Sequence, residues 1–116
     1  MNIKMSQVLR EFHFQDNVTE PNNGNILLIN NGTICTFSIE GTATSCTVEF
    51  EAQSHDGGKF LPCFCYTLDS STKVVTQATT LNDVLWQLNV SSIRSFRTRI
   101  VSISGGYVNI IGTVAG

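Results

Sequence analysis

The chain has 116 residues, enough for one domain with one hydrophobic core and too few for two. Charged residues make up only 14% of it, against about 25% in typical soluble domains. The net charge of −2 and the scattered basic residues argue against a nucleic-acid-binding protein. No apolar run reaches the roughly 18–20 residues that cross a membrane. The first ten residues lack the pattern of a secretory signal, so we expect synthesis in the cytoplasm.

The first 25 residues differ from the rest of the chain. Phe12 and Phe14 have no obvious partner strand close by, and Asp16–Asn25 has the composition of a polar loop. We interpret residues 1–25 as an N-terminal arm and linker, and residues 26–116 as the folded domain. Because exposed Phe rings are unfavourable in water, we expect Phe12 and Phe14 to dock, either on their own domain or on a neighbouring subunit.

From residue 26 onward, short segments of alternating apolar and polar residues are separated by turns rich in Gly, Asn, Asp and Ser. About eight such segments at roughly ten-residue spacing are typical of an antiparallel β-sandwich, of jelly-roll or Ig-like type. The predicted strands are Ile26–Ile29, Ile34–Glu40, Thr44–Glu51, Phe60–Leu68, Val74–Gln77, Val84–Val90, Phe96–Ser104 and Tyr107–Val114. The predicted core residues are Phe37, Val48, Phe50, Trp86, Leu88, Ile100, Val108 and Ile110.

Glycine and proline suggest how two of these strands are arranged. Gly105-Gly106 predicts a tight hairpin in which the last strand pairs back on Phe96–Ser104. Pro62 lacks a backbone N–H, so the strand that begins at Phe60 is expected to lie at a sheet edge or to contain a bulge.

The four cysteines are best explained as buried, reduced thiols. Cys63 and Cys65 are two residues apart on a predicted strand, so their side chains share one face. No His lies near them in sequence, and we therefore predict no bound metal. A disulfide between Cys35 and Cys46 is geometrically feasible across a hairpin, but cytoplasmic synthesis argues against it.

No group of residues predicts catalysis or a cofactor. His55 and Asp56 are adjacent in a Gly-rich segment, which is far more typical of a turn than of a catalytic pair. Carboxylates such as Glu51, Asp69 and Asp83 could form a pair for glycoside hydrolysis, but nine carboxylates spread over turns make such pairs common by chance.

Two arginines on one strand face could bind a partner. Arg97 and Arg99 alternate with apolar residues and lie on the same face. They are either part of a solvated surface, covering apolar atoms with their stems, or a docking site for an acidic partner subunit.

Trp86 lies on an apolar face, so it is assigned to the core rather than to sugar stacking.

Two stretches of the chain resemble a family of small β-sandwich proteins of tailed bacteriophages. These stretches are FEAQSHDGGKFLP (Phe50–Pro62) and LWQLNVSSIRSFRTRIVSISGGYVNIIGTVAG (Leu85–Gly116). The family pattern is a strand ending in Phe-Glu, a Ser-x-Asp-Gly loop, an aromatic-x-Pro strand start and an Arg-x-Arg strand. This chain has Phe60 where the family usually has Trp, and its first 25 residues have no counterpart.

The resemblance implies a non-enzymatic structural protein of the virion, such as a capsid decoration, head-fibre or tail-associated component. We expect a capsid decoration protein that forms a homo-oligomer, with a trimer as the natural arrangement at threefold points of a capsid, and that binds the major capsid protein or another virion protein. It would lie on the capsid surface or the tail. The alternative is a carbohydrate- or receptor-binding module of a phage tail or head fibre. Phe12, Phe14, Arg97 and Arg99 are the candidate partner-binding residues.

Overall fold

The computed structural model describes residues 9–79, 81 and 84–115, which form eleven β-strands and no helix. This part of the chain contains no helical segment with the length and apolarity needed to cross a membrane. The strands are β1 (Leu9–Val18), β2 (Leu27–Leu28), β3 (Ile34–Gly41), β4 (Ser45–Gln53), β5 (Phe60–Pro62), β6 (Cys65–Thr67), β7 (Val74–Val75), β8 (Gln77–Ala78), β9 (Trp86–Asn89), β10 (Ser95–Ser104) and β11 (Val108–Ala115).

The strands form two antiparallel sheets packed as a sandwich, which confirms the predicted fold class. The six-stranded sheet has the order β1-β11-β3-β9-β6-β7, and the five-stranded sheet has the order β2-β10-β4-β5, with β8 also paired to β4. Three strands were not predicted separately. The predicted strand Phe60–Leu68 is divided between the two sheets as β5 and β6, Val74–Gln77 is divided into β7 and β8, and β1 lies in the predicted arm.

The core lies between the sheets and is filled by the residues that alternation predicted. Cys35, Phe37 and Ile39 of β3 are buried, as are alternate residues of β4. Phe37 lies at the centre, with ring centroids of Phe14, Phe50, Phe96 and Trp86 between 5.6 and 6.5 Å away. Edge-to-face and offset aromatic contacts of this kind add to the hydrophobic gain of burial.

The N-terminal segment is part of the sandwich, which corrects the interpretation of residues 1–25 as an arm. β1 pairs with β11 along its length, and a register shift at Phe14 forms a bulge that turns both Phe14 and Gln15 inward. Phe14 is fully buried, so its docking site is its own domain. Residues 1–8, which belong to the same prediction, lie outside the described residues.

The predicted linker is also fixed to the domain. Asn22 exchanges two backbone hydrogen bonds with Ile100 of β10, and the N–H of Asn25 donates to the carbonyl of Phe14 at 3.0 Å. The side-chain amide of Gln15 donates to the carbonyl of Thr98 at 2.7 Å, which ties β1 to the opposite sheet. This segment therefore follows the free edge of β10 rather than extending into solvent.

The turn at Gly105-Gly106 does not form a hairpin, because β10 and β11 lie in different sheets. It crosses between the sheets beside a second crossover, from β3 to β4, and the N–H groups of Thr42 and Ala43 both donate to the carbonyl of Tyr107. Gly41 has φ of 142°, and a Cβ there would lie 2.1 Å from the Tyr107 carbonyl oxygen. The two crossovers thus need glycine for backbone approach as well as for chain reversal.

Candidate functional site: the outer faces of the sheets

The outer face of the five-stranded sheet carries a network of two arginines and two glutamates. Arg97 lies opposite Glu51, and Arg99 lies opposite Glu49, on the neighbouring strands β10 and β4. The guanidinium of Arg97 donates to Glu51 at 2.8 and 2.9 Å. Arg99 donates to Glu51 at 3.2 Å and to Glu49 at 2.5 Å. Arg97 and Arg99 thus lie on one face of β10, as alternation predicted, and this face also carries Glu49 and Glu51 of β4.

The network neutralises the arginines within the chain. The Glu51 side chain is only 9% exposed, because it lies between both guanidinium groups. The guanidinium carbon of Arg97 also lies 4.1 Å from the centroid of the Phe60 ring, in a cation–π arrangement. With their donors already bound to these carboxylates, Arg97 and Arg99 offer a poorer site for an acidic partner than their sequence pattern suggested.

Phe12 and Phe14, the other two candidate partner-binding residues, belong to the interior side of β1. Their ring centroids are 4.8 Å apart, and Phe12 packs at the margin of the core. Phe12 and Phe14 therefore do not form one binding site with Arg97 and Arg99.

The outer face of the six-stranded sheet carries an apolar patch made of Tyr66, Leu68, Val74 and Leu85. Tyr66 lies opposite Val74, and the N–H of Leu68 donates to the carbonyl of Leu85 on the adjacent strand. Leu68, Val74 and Leu85 are 45%, 58% and 50% exposed. Exposed apolar residues that adjoin one another on a sheet commonly mark an interaction surface.

A row of polar side chains lies beside the apolar patch. The hydroxyl of Tyr66 donates to the side-chain oxygen of Gln87 at 2.8 Å, and the Gln87 amide donates to the Thr36 hydroxyl at 2.9 Å. The cross-strand register continues this row through Thr113 to Glu11 on β1. These groups give the face hydrogen-bonding capacity next to its apolar residues.

A cavity of about 610 Å³ opens next to Leu85. It is lined by Ser38–Gly41 of β3 and by Leu81, Val84 and Leu85. This cavity has the size to accept a partner side chain at the margin of the apolar patch.

Sequence reasoning did not identify the apolar patch. Leu85 directly precedes the buried Trp86 and is exposed, as expected for neighbours in an alternating segment. Leu68 directly follows β6 and Val74 begins β7, on either side of the segment Asp69–Lys73, so their proximity depends on how β6, β7 and β9 pair.

A second polar cluster lies on β1, at the edge of the same sheet. The two ring nitrogens of His13 lie 2.8 Å from Asp16 and 2.7 Å from Glu11. Hydrogen bonds to Asp16 and Glu11 raise the pKa of His13 above its usual value of 6.5. Both carboxylates favour the protonated imidazolium, which can donate from both nitrogens.

The four cysteines are free thiols. Cys35 and Cys46, which were weighed as a disulfide pair across a hairpin, lie in different sheets. Burial raises the pKa of Cys35 to about 12 and also raises that of Cys46. Among the described residues, no three His, Cys, Asp or Glu side chains come together as a metal-binding group.

His55 and Asp56 lie in the loop between β4 and β5, where the sequence predicted a turn. The N–H of Gly58 donates to the carbonyl of His55, and the His55 ring lies 2.9 Å from the hydroxyl of Ser54. The Asp56 carboxylate faces Arg94 at 3.9 Å instead of the imidazole.

Comparison with known proteins links the fold to one family. A sequence model of the XepA family matches residues 9–114. The crystal structure of the SPBc2 prophage-derived protein YomS has a TM-score of 0.90 at 18% identity, over 100% of both chains. The crystal structure of the PBSX exported protein XepA has a TM-score of 0.90 at 20% identity, over 98% of this chain and 40% of that one. This chain thus spans less than half the length of XepA. No curated protein matches the sequence.

Proposed function

The chain belongs to the XepA family and is therefore phage-associated, and we propose that it is a non-enzymatic structural protein of the phage particle. In this proposal it is a capsid decoration protein that attaches through the outer face of the six-stranded sheet. Its partners are further copies of itself and a capsid or other virion protein.

The apolar patch is the observation that carries this proposal. The patch consists of four side chains that adjoin one another across paired strands: Tyr66, Leu68, Val74 and Leu85. The last three are about half exposed or more. Removing a Leu or Val side chain from water contributes roughly 1.5–3 kcal/mol. Repeated attachment of identical subunits suits such a surface, because apolar burial does not depend on a matching charge pattern.

The arrangement of charge supports the choice of face. On the opposite side of the sandwich, Arg97 and Arg99 already bind Glu49 and Glu51. A partner that docked there would compete with these ion pairs or have to accommodate both charges in desolvated form. Among residues 9–79, 81 and 84–115, the ion pairs do not include any side chain of the apolar patch.

The test compares two leucines on opposite sheets. Leu85→Asp places a charge in the apolar patch, whereas Leu61→Asp places the same charge on β5 at a similarly exposed position, 58% against 50%. Both variants should melt like the wild type. Leu85→Asp should lose self-association in sedimentation and incorporation into phage particles, and Leu61→Asp should keep both. A folded Leu85→Asp protein that incorporates normally would overturn the proposed attachment face.

A second candidate function is binding of carbohydrate or a receptor glycan. The hydrogen-bonded row of Tyr66, Gln87 and Thr36 favours it, because donors and acceptors beside apolar carbons suit the hydroxyl groups and C–H faces of a sugar. Gln87→Ala separates the two functions. It should leave particle incorporation intact in a decoration protein, and should abolish retention on host-cell glycan in a receptor-binding module.

A further inference from the structure

A small cavity adjoins the point where the chain crosses from β7 to β8. β7 belongs to the six-stranded sheet, whereas β8 pairs with β4 of the five-stranded sheet. The cavity has a volume of about 170 Å³, and this crossover contributes Val75, Gln77 and Ala78 to its lining. Thr67 of β6 and Trp86 of β9, which lie opposite each other in the register, also line it.

The indole N–H of Trp86 is a buried hydrogen-bond donor at this cavity. Trp86 is 3% exposed, and its Nε1 has no hydrogen-bond partner among the described residues. The ring of Phe37 is stacked on the indole with an interplanar angle of 12°, and the Phe50 ring lies 5.2 Å away. Because an unpaired buried donor is unfavourable, an acceptor that enters the cavity and binds the indole gains affinity.

The size and walls of the cavity limit the group that can enter it. Val75, Ala78 and Val84 give it apolar walls next to Trp86. An apolar protein cavity of about 150 Å³ accommodates a molecule the size of benzene. The entering group is therefore short, with carbon atoms for these walls and one acceptor for the indole.

One carboxylate and one ammonium group border the same cavity. Asp69 and Lys73 line it and are exposed to solvent. The Thr67 hydroxyl fixes both ends of their loop, because it donates to the Asp69 carboxylate at 2.9 Å and accepts the Lys73 N–H at 2.9 Å. Across residues 9–79, 81 and 84–115, no ion pair includes Asp69 or Lys73. Two unneutralised charges of opposite sign complement a zwitterion.

We propose that this cavity binds a free amino acid whose short side chain carries a carbonyl group, the class of asparagine and glutamine. The side-chain oxygen accepts the indole N–H of Trp86, and the methylene groups contact the apolar walls. The ammonium group of the ligand binds Asp69 and its carboxylate binds Lys73, both at the solvent-exposed border. A glutamine side chain has fewer non-hydrogen atoms than benzene, so the cavity has room for it.

NMR of the folded, nitrogen-15-labelled protein tests the site directly. Trp86 is the single tryptophan, so one indole N–H signal reports on the cavity. L-Glutamine should shift this signal downfield in a saturable manner, because the N–H gains an acceptor. Propionamide has the carbonyl and no charges, and it should bind at least about tenfold more weakly because it lacks the charge-assisted bonds.

Matched variants separate the contribution of charge from that of the indole. Lys73→Gln should weaken glutamine binding by about tenfold in calorimetry. Lys59→Gln, which removes an exposed charge from the loop before β5, should bind like the wild type. Trp86→Phe keeps an aromatic ring but lacks the donor, so it should bind more weakly, with its melting temperature as the check on folding.

The possible results distinguish the site from its ligand class. An indole signal that glutamine does not shift would overturn the site and leave the cavity with water only. Equal affinities of glutamine and propionamide, or of Lys73→Gln and the wild type, would overturn the assignment to amino acids. None of these results depends on how the chain attaches to a particle, so the decoration role is tested separately.

Discussion

At the scale of single residues, Trp86 at the start of β9 and Leu85 directly before it have opposite roles. Trp86 is buried against Phe37 and Phe50, whereas Leu85 is half exposed in the apolar patch. Replacing a buried Trp with Ala removes its transfer free energy and leaves a cavity, so Trp86→Ala should lower the free energy of unfolding by about 3–5 kcal/mol. Leu85→Ala should change it by less than about 0.5 kcal/mol. Denaturant unfolding of both variants measures the contrast, and equal stabilities would refute the core assignment of Trp86.

His13 predicts a pH dependence of stability. Its pKa is raised in the folded chain by Asp16 and Glu11, above the value of 6.5 expected when the chain is unfolded. A raised folded pKa means that the folded state binds the proton more tightly. The stabilising contribution is therefore fully present below pH 6.5 and is lost as the pH rises through the folded pKa.

The measurement compares thermal melting of the wild type and His13→Gln across this pH range. The wild type should be the more stable protein at the acidic end, and the difference should shrink as the pH rises. A difference that stays constant, or grows with pH, would contradict the assigned ion pairs. Glu11→Gln and Asp16→Asn should each reduce the difference, since each removes one acceptor.

At the scale of elements, β1 decides whether the N-terminal segment is an arm or a strand. Phe14 is fully buried and contacts both Phe37 and Phe96, so it joins the two sheets. Deleting residues 1–16 should prevent stable folding, because it removes a buried ring and uncovers β11. The free energy lost with this burial is a large part of the roughly 5–15 kcal/mol that stabilises a typical domain.

Point variants on β1 give a milder version of this test. Phe14→Ala should lower the free energy of unfolding by about 3–5 kcal/mol. Leu9→Ala, on the same strand at a position 61% exposed, should have little effect. Circular dichroism melting distinguishes the two, and a truncated chain that melts like the wild type would restore the arm interpretation.

The crossovers show why turn residues predict where the chain reverses but not which strands then pair. Gly105-Gly106 correctly predicts a chain reversal, but the same glycines serve a hairpin or a crossover between sheets. The choice here depends on β4 and β3, which pair with β10 and β11 respectively. Such pairing involves residues more than 40 positions apart and has no local signal.

At the scale of the whole molecule, the two outer faces differ in chemistry. One carries ion pairs of Arg97 and Arg99 with Glu49 and Glu51, and the other carries the apolar patch beside a hydrogen-bonded row. The sequence predicted that Arg97 and Arg99 share one face, because alternation alone determines this. It did not predict that glutamates neutralise them, because that requires β4 to lie next to β10 in one register.

The sequence by itself determined that this protein is an antiparallel β-sandwich and which side chains fill it, because period-two alternation of apolar residues is a local property of each strand. The tertiary structure alone decided that residues 9–18 form a strand, that one predicted strand is shared between the sheets, and that Tyr66, Leu68, Val74 and Leu85 adjoin. These outcomes depend on which strands pair, and pairing is chosen by the burial that the whole sandwich achieves, which no short segment encodes.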